Sequence, residues 1–189
     1  MLWPFNHFRK PRLPSRGTIE AIYGMIVTQA REPLFYQDLY PGLGIPDTVN
    51  GRFDLVLAHL WMVLRRLRQV EGGTEAAQAL FDHFCADMDA NLREMGVGDL
   101  AVPKRMQAFG EAFYGRTAAY DLALTDSSEA LAQALSRNIL DGKNIDNARR
   151  LAAYAQAAIA GLDKVDDEAL LAASWAFPSP LSLAEQGHD

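Results

Sequence analysis

The residues best equipped for chemistry are few: four histidines and a single cysteine in 189 residues. His83 is followed one helical turn later by Asp87, with Asp82, Asp89 and Glu94 close in sequence, so two ligand types fall on one face. A metal site needs three or four converging ligands, and neither the Glu-x-x-His pairs of di-iron bundles nor a His-Glu-x-x-His helix is present. His83 and Asp87 are therefore expected to form a polar seam, with no metal and no cofactor. Cys85 stands alone, which excludes an internal disulfide and a zinc framework of repeated cysteines; it reads as a small buried hydrophobe in a reducing compartment. No Gly-x-Ser-x-Gly elbow or phosphate loop occurs, and Gly42-Leu43-Gly44 lacks the strand and third glycine of a dinucleotide fingerprint. The expected activity is contact with another macromolecule, not catalysis.

The strongest contact signal is the run from Phe53 to Arg68, an apolar stretch that closes on Arg65, Arg66 and Arg68. At 100° per residue, Val56, Leu57, Leu60, Trp61, Val63, Leu64 and Leu67 cover one broad face. Leu55, Ala58 and Met62 fall opposite, with His59 and Arg66 between. Hydrophobicity on two faces marks the central helix of a bundle. The alternative is that Leu55, His59, Met62 and Arg66 line a groove for a partner's apolar helix. The three arginines suit the negative end of the helix dipole, or else an acidic partner or lipid headgroups.

These residues need helices to position them. Ile19, Ile22, Tyr23, Ile26, Val27 and Ala30 make one stripe over about 17–31, which Pro33 ends. Residues 34–48 read as a loop whose Phe35, Tyr36 and Tyr40 either pack over the bundle or belong to a partner surface. A second helix spans about 49–70. Thr74 is placed to cap a third over about 75–95, its apolar side running from Ala77 and Leu80 through Phe84, Met88 and Leu92 to Met95. The fourth, about 100–124, carries Val102, Met106, Phe109, Phe113, Tyr120 and Leu124, with Gly110 and Gly115 allowing close approach or a bend. Asp126 and Glu129 form a capping pair for a fifth helix to about Asn138. Asn144 caps a sixth over about 145–161, and Asp166 or Asp167 starts a short seventh. No stretch alternates with period two, so the expectation is an all-α, single-domain bundle of six to seven helices at 17–176, with an extended N-terminal arm at 1–16 and a polar tail at 177–189.

Charge is distributed unevenly. Of 18 basic residues, Arg9, Lys10, Arg12 and Arg16 lie in the arm, which has no acid, while the other 14 share the body with 24 acids. An acidic body argues against nucleic acid, because phosphate contact needs a basic face. The arm combines Trp3, Phe5 and Phe8 with Arg9, Lys10 and Arg12, the chemistry of a weak peripheral membrane contact or of a strap packed on the body. The run from Leu55 to Leu64 is broken by His59 and is far shorter than the ~20 residues of a membrane span. Pro4, Pro11 and Pro14 oppose a helical transit peptide, and no export signal is expected.

Four segments in order, Phe53-x5-His59-Leu60-Trp61-Met62-x2-Arg65-Arg66-Leu67, Leu80-Phe81-Asp82-x-Phe84-x2-Asp87-Met88-Asp89, Arg93-Glu94-Met95-Gly96-Val97-Gly98-Asp99 and Phe113-Tyr114-Gly115-x4-Tyr120, resemble the ubiquinol-cytochrome c chaperone family. The resemblance implies an assembly chaperone that binds newly made cytochrome b, together with a small partner subunit, while the bc1 complex is built. It also implies no catalytic residues. The chain looks like the compact bacterial form, which places it in the cytoplasm or peripherally on the inner face of the inner membrane, in preference to a mitochondrial matrix. Two other functions fit the residues: a small-molecule or haem-binding helical module using His59 and His83, and a peripheral membrane scaffold using the arm.

Overall fold

Ser15 sets the first helix: its hydroxyl accepts the backbone N–H of Thr18, and α1 runs from Arg16–Ala30. The computed structural model describes residues 14–183, so the expected membrane-contact residues Trp3, Phe5, Phe8, Arg9, Lys10 and Arg12 lie outside the described residues. After α1 come a 3-10 turn at Pro33–Phe35, α2 (Val49–Leu67), α3 (Gly73–Glu94), α4 (Val102–Asp126), α5 (Ser128–Ile139), α6 (Ile145–Lys164), α7 (Asp167–Leu171) and a 3-10 turn at Pro180–Leu183. There is no strand among the described residues, and the all-α expectation holds.

Several helix ends differ from the expectation for local reasons. Thr74 is not the cap of α3; Gly72 takes that position with φ +74°, a conformation open to glycine, and Thr74 lies inside the first turn. Gly73 then packs so tightly that an added Cβ would sit 1.9 Å from the Leu67 carbonyl oxygen, which explains why α2 ends at Leu67 and not at 70. Ser127, not Asp126, caps α5, because its hydroxyl reaches the Ala130 N–H. Asn144 and Asp166 cap α6 and α7 as expected. Gly110 and Gly115 approach nothing: a Cβ at either would meet no atom within 4 Å, so neither serves close packing.

Cross-helix contacts fix the directions. His59 meets Tyr154 and Arg66 meets Leu162, so α6 runs with α2; Asp54 meets Arg116 and Trp61 meets Asp121, so α4 does too. Phe84 of α3 touches Phe53, Phe109 and Phe113, and the tight α2–α3 turn makes α3 antiparallel to them. Tyr23 lies at the level of Phe84, and Gln29 at the level of Tyr154, so α1 also rises with α2. The bundle thus has an entry end, where α1, α2, α4 and α6 begin, and a far end, where they finish. α2 is central, with Leu55, Leu60, Trp61, Met62, Val63, Leu64 and Leu67 all buried. The loop before it is no free connection: Phe35, Leu43 and Ile45 are buried, and the Leu43 and Ile45 N–H groups donate to Leu34 and Phe35 carbonyls at 2.9 Å.

Candidate functional site

The second face of α2 is core. Leu55, His59 and Met62 are buried, with His59 facing α6 and the Pro33–Phe35 turn, so this side of α2 packs as that of a central bundle helix and the alternative of a groove there has no open surface in this closed bundle. The reason is visible in the His59 network. Nδ1 lies 2.7 Å from the Leu55 carbonyl oxygen, which can only accept, so Nδ1–H donates; Nε2 therefore accepts from the Tyr154 hydroxyl at 2.8 Å. Phe35 and Phe177 stand edge-on to the imidazole at 5.5 and 5.0 Å. Burial pushes the His59 pKa down from 6.5 to about 4, keeping it neutral, and the Leu55 bond opposes this only in part. Gln29 bonds Tyr154 and donates to the Pro178 carbonyl at 3.2 Å. Phe177 and Pro178, read from sequence as the start of a polar tail, are thereby seated on the body. With both ring nitrogens engaged, His59 has no lone pair to give a haem iron.

The three arginines do not make one basic patch, because successive 100° steps send them to different neighbours. Arg66 is buried and clamps the end of α6: Nε donates to the Leu162 carbonyl at 3.0 Å, and Nη2 to the Val165 carbonyl at 2.8 Å and Asp167 at 2.9 Å. Arg65 turns towards α4, with Nε 3.8 Å from the Asp121 carboxylate that Trp61 Nε1 also bonds at 2.8 Å. Arg68 alone is exposed, beside a recess of about 100 Å3 between Leu64, Phe81, Phe113 and Tyr114. In the loop, Phe35 is core and Tyr36 donates to the Ala30 carbonyl. Tyr40 is more than half exposed under the Arg150 guanidinium, 5.1 Å from the ring centroid. Arg150 also donates to the Pro41 and Gly42 carbonyls, tying this loop to α6.

His83 packs edge-on against Tyr23 at 5.0 Å, and Asp87 accepts the Tyr23 hydroxyl at 2.6 Å and the Asn91 amide at 3.3 Å. The tyrosine's pKa is raised, by burial first and by Asp87 second. His83 and Asp87 thus form the expected polar seam at the edge of the apolar face of α3, and the structure adds Tyr23 of α1 as its partner. No grouping of His, Cys, Asp and Glu suited to a metal ion is found among the described residues.

The apolar surface that is open lies elsewhere, at the entry end. A groove of about 660 Å3 runs between the start of α2, the end of α3 and the start of α4, floored by Phe53, Met88, Leu92 and Phe109 and walled by Val49, Met95 and Met106. Asn50, Asn91, Glu94 and Arg105 supply its polar rim. Its cause is a mismatch of lengths. The apolar stripe of α3 continues to Met95, but antiparallel α2 begins only at Val49, level with Met88 and Leu92, so the last turn of α3 outruns the helix it packs on. Further up, the same stripe is sealed, with Phe84 and Phe113 buried. Sequence reasoning assigned Met88, Leu92 and Met95 to packed helix faces; the overrun was the available signal. Three methionines, Met88 in the floor and Met95 and Met106 in the walls, give the groove unbranched, polarisable side chains that adapt to different occupants. No helix among the described residues is long and apolar enough to cross a membrane.

Comparison with known proteins gives consistent results. The family model described as "Ubiquinol-cytochrome C chaperone" matches residues 42–177. Ubiquinol-cytochrome-c reductase complex assembly factor 1 of Xenopus laevis is 30% identical over 145 residues, covering 74% of this chain and 72% of the frog protein. The Homo sapiens protein of that name is 28% identical over 167 residues, and the match covers 87% of this chain but 56% of the human one. Among solved structures, the Cbp3 homolog from Brucella abortus superposes with a TM-score of 0.77 at 35% identity, over 87% of this chain and 90% of that one.

Proposed function

Since the chain belongs to the ubiquinol-cytochrome C chaperone family, we propose that it is a non-catalytic assembly factor of the bc1 complex and that its entry-end groove holds an apolar segment of cytochrome b. The groove carries this reading. A membrane subunit awaiting assembly exposes helices whose side chains must be kept from other apolar surfaces, and a methionine-lined trough between helix ends receives an amphipathic or apolar helix in the helix-in-groove mode. Each large apolar side chain fully buried there contributes about 1.5–3 kcal/mol before the cost of ordering the partners. Two or three such anchors give a hold that is firm yet reversible, as a handover to the growing complex requires. The polar rim of Asn50, Asn91, Glu94 and Arg105 suits the ends of a segment that passes from groove to solvent. A small partner subunit would complete the client-binding surface, and work would be done at the membrane face where cytochrome b is inserted.

The test is photo-crosslinking in cells from probes placed at Val49, Met95 and Met106, with a probe at exposed Leu122 of α4 as control. Cytochrome b should appear on the groove probes and not on the control. Normal bc1 assembly in a deletion strain, with no cytochrome b captured at any groove position, would sink the proposal.

A further inference from the structure

The entry-end groove carries two charges that nothing in the fold uses. Among the residues that line it only Glu94 and Arg105 are ionisable, Glu94 on the α3 side and Arg105 on the α4 side. Both are exposed, and among the described residues neither has a hydrogen-bond or ion-pair partner. The other charges nearby are closed into pairs or stand outside the groove. Arg93 pairs with Asp89 and Asp99, Arg52 with Asp47 and Arg149 with Asp146, while Asp38, Lys104 and Asp141 do not line it.

Neither charge is explained by the stability of its own helix. Glu94 is the last residue of α3, at the negative end of that helix dipole, and Arg105 lies in the first turn of α4, at the positive end, in a turn that holds no acid. Each therefore has the sign that its helix end disfavours. Their position on either side of an open apolar trough points instead to what enters it. A segment that fills the trough excludes water from the rim, which strengthens an ion pair formed there and penalises a charge left facing none or one of like sign.

We propose that the groove reads the direction of the helical segment it holds: Glu94 meets a basic residue on one flank of the segment's apolar stripe, and Arg105 meets an acidic residue on the other. The inference rests on the reading of this groove as the client site, and it adds the chemistry of the occupant. A helix lying in a trough can be turned end for end with its apolar stripe still facing the floor, and that turn exchanges its two flanks. Phe53, Met88, Leu92 and Phe109 accept either direction, because apolar contact has no sign. Opposite charges on the two sides do choose, since the wrong direction sets like charges together, as flanking charges set the pairing of coiled coils. Selection thereby sits on the rim, and the methionines stay free to adapt to the side chains between.

Synthetic amphipathic peptides test this on the full chain. One leucine-striped helix carries lysines on one flank and glutamates on the other, a second has the two flanks exchanged, and each bears a benzophenone at its N-terminus to mark the mouth of the groove where that end lies. The two peptides should label opposite mouths, and a third with glutamines on both flanks should bind about threefold to tenfold more weakly. In Glu94→Arg/Arg105→Glu, which keeps the net charge, both labels should change mouths. The urea midpoint of that variant should not fall, because both helix ends gain the favoured sign. Labelling of the same mouth by both peptides, labels unmoved in the exchanged variant, or equal binding of the glutamine peptide would overturn the proposal and leave the groove reading in place. No binding of any peptide, or binding that survives Val49→Asp/Met95→Asp at two exposed wall positions, would discard the groove reading and this inference with it.

Discussion

His59 makes a prediction that isolates one buried group. Its imidazole is neutral in the fold, with a pKa of about 4 against the ordinary 6.5. Between these values the unfolded chain binds a proton that the folded chain refuses, so stability must fall as pH drops through 6.5, and the loss is complete below about 4. At 1.36 kcal/mol per unit, the full difference is about 3 kcal/mol, of which about 2 kcal/mol is lost between pH 7 and pH 5. The window above pH 5 matters because the carboxylates held low by arginines, Asp47 by Arg52 and Glu129 by Arg149, take up protons only at lower pH. Urea denaturation of wild type and His59→Gln across pH 7 to 5 is the assay. Glutamine can still meet the Tyr154 hydroxyl but cannot titrate; it should cost about 1–3 kcal/mol at pH 7 and remove most of the pH dependence. A wild-type stability flat from pH 7 to 5, or a slope unchanged in the variant, would refute the account of a sealed, neutral histidine.

Two further predictions use the same assay. Arg66→Ala removes the guanidinium that bonds the Leu162 and Val165 carbonyls and Asp167, leaving the Leu162 carbonyl only the Val165 N–H, and should destabilise by about 1–3 kcal/mol; Arg66→Lys should rescue little because a single ammonium cannot span the same three acceptors. Gly110→Ala in open helix should stabilise by about 0.5–1 kcal/mol, whereas Gly73→Ala, which drives a Cβ into the Leu67 carbonyl, should cost about 3 kcal/mol or prevent folding; a stable Gly73→Ala protein would show that the α2–α3 turn can reopen.

The helices were legible because most have a stripe or a stop: Ile19 to Ala30 before Pro33, and the Asn144 and Asp166 caps, whereas the α5 cap fell one residue later than the Asp126 expected. The two-faced α2 was also legible as a buried helix. Harder to see was what covered its second face. That depended on Tyr154, Phe35 and Phe177, which are 95, 24 and 118 positions from His59, and one-dimensional periodicity says nothing about pairs so distant. The same limit applies to the arginines: their place in the last turn of α2 was legible, but rotation about the helix sends Arg65 to Asp121 and Arg66 to the end of α6, which adjacency in sequence does not show. Of the two roles open to Gly110 and Gly115, close approach or a bend, the open space around both removes the first.

These corrections bear on how the molecule can be both stable and accommodating. Three polar groups of α2 within the core are matched, His59 to Leu55 and Tyr154, Trp61 to Asp121, and Arg66 to three acceptors, while Arg65 Nη1 and Trp175 Nε1 are buried without a partner among the described residues. A network satisfied in this way resists rearrangement, because breaking any one bond strands a buried partner. Placing a client groove on that face of α2 would have required its loss at every binding event. The open groove is built from groups with no such obligations: thioethers, phenyl rings and short aliphatic chains at helix ends, where an occupant can shift side chains without orphaning a hydrogen bond. The boundary between the two regimes falls at Phe84, which touches Phe53 and Phe109 of the groove floor on one side and Tyr23 and Phe113 of the core on the other. Occupancy of the groove should therefore be felt by Phe84 and its aromatic neighbours while the His59 network above them stays unchanged.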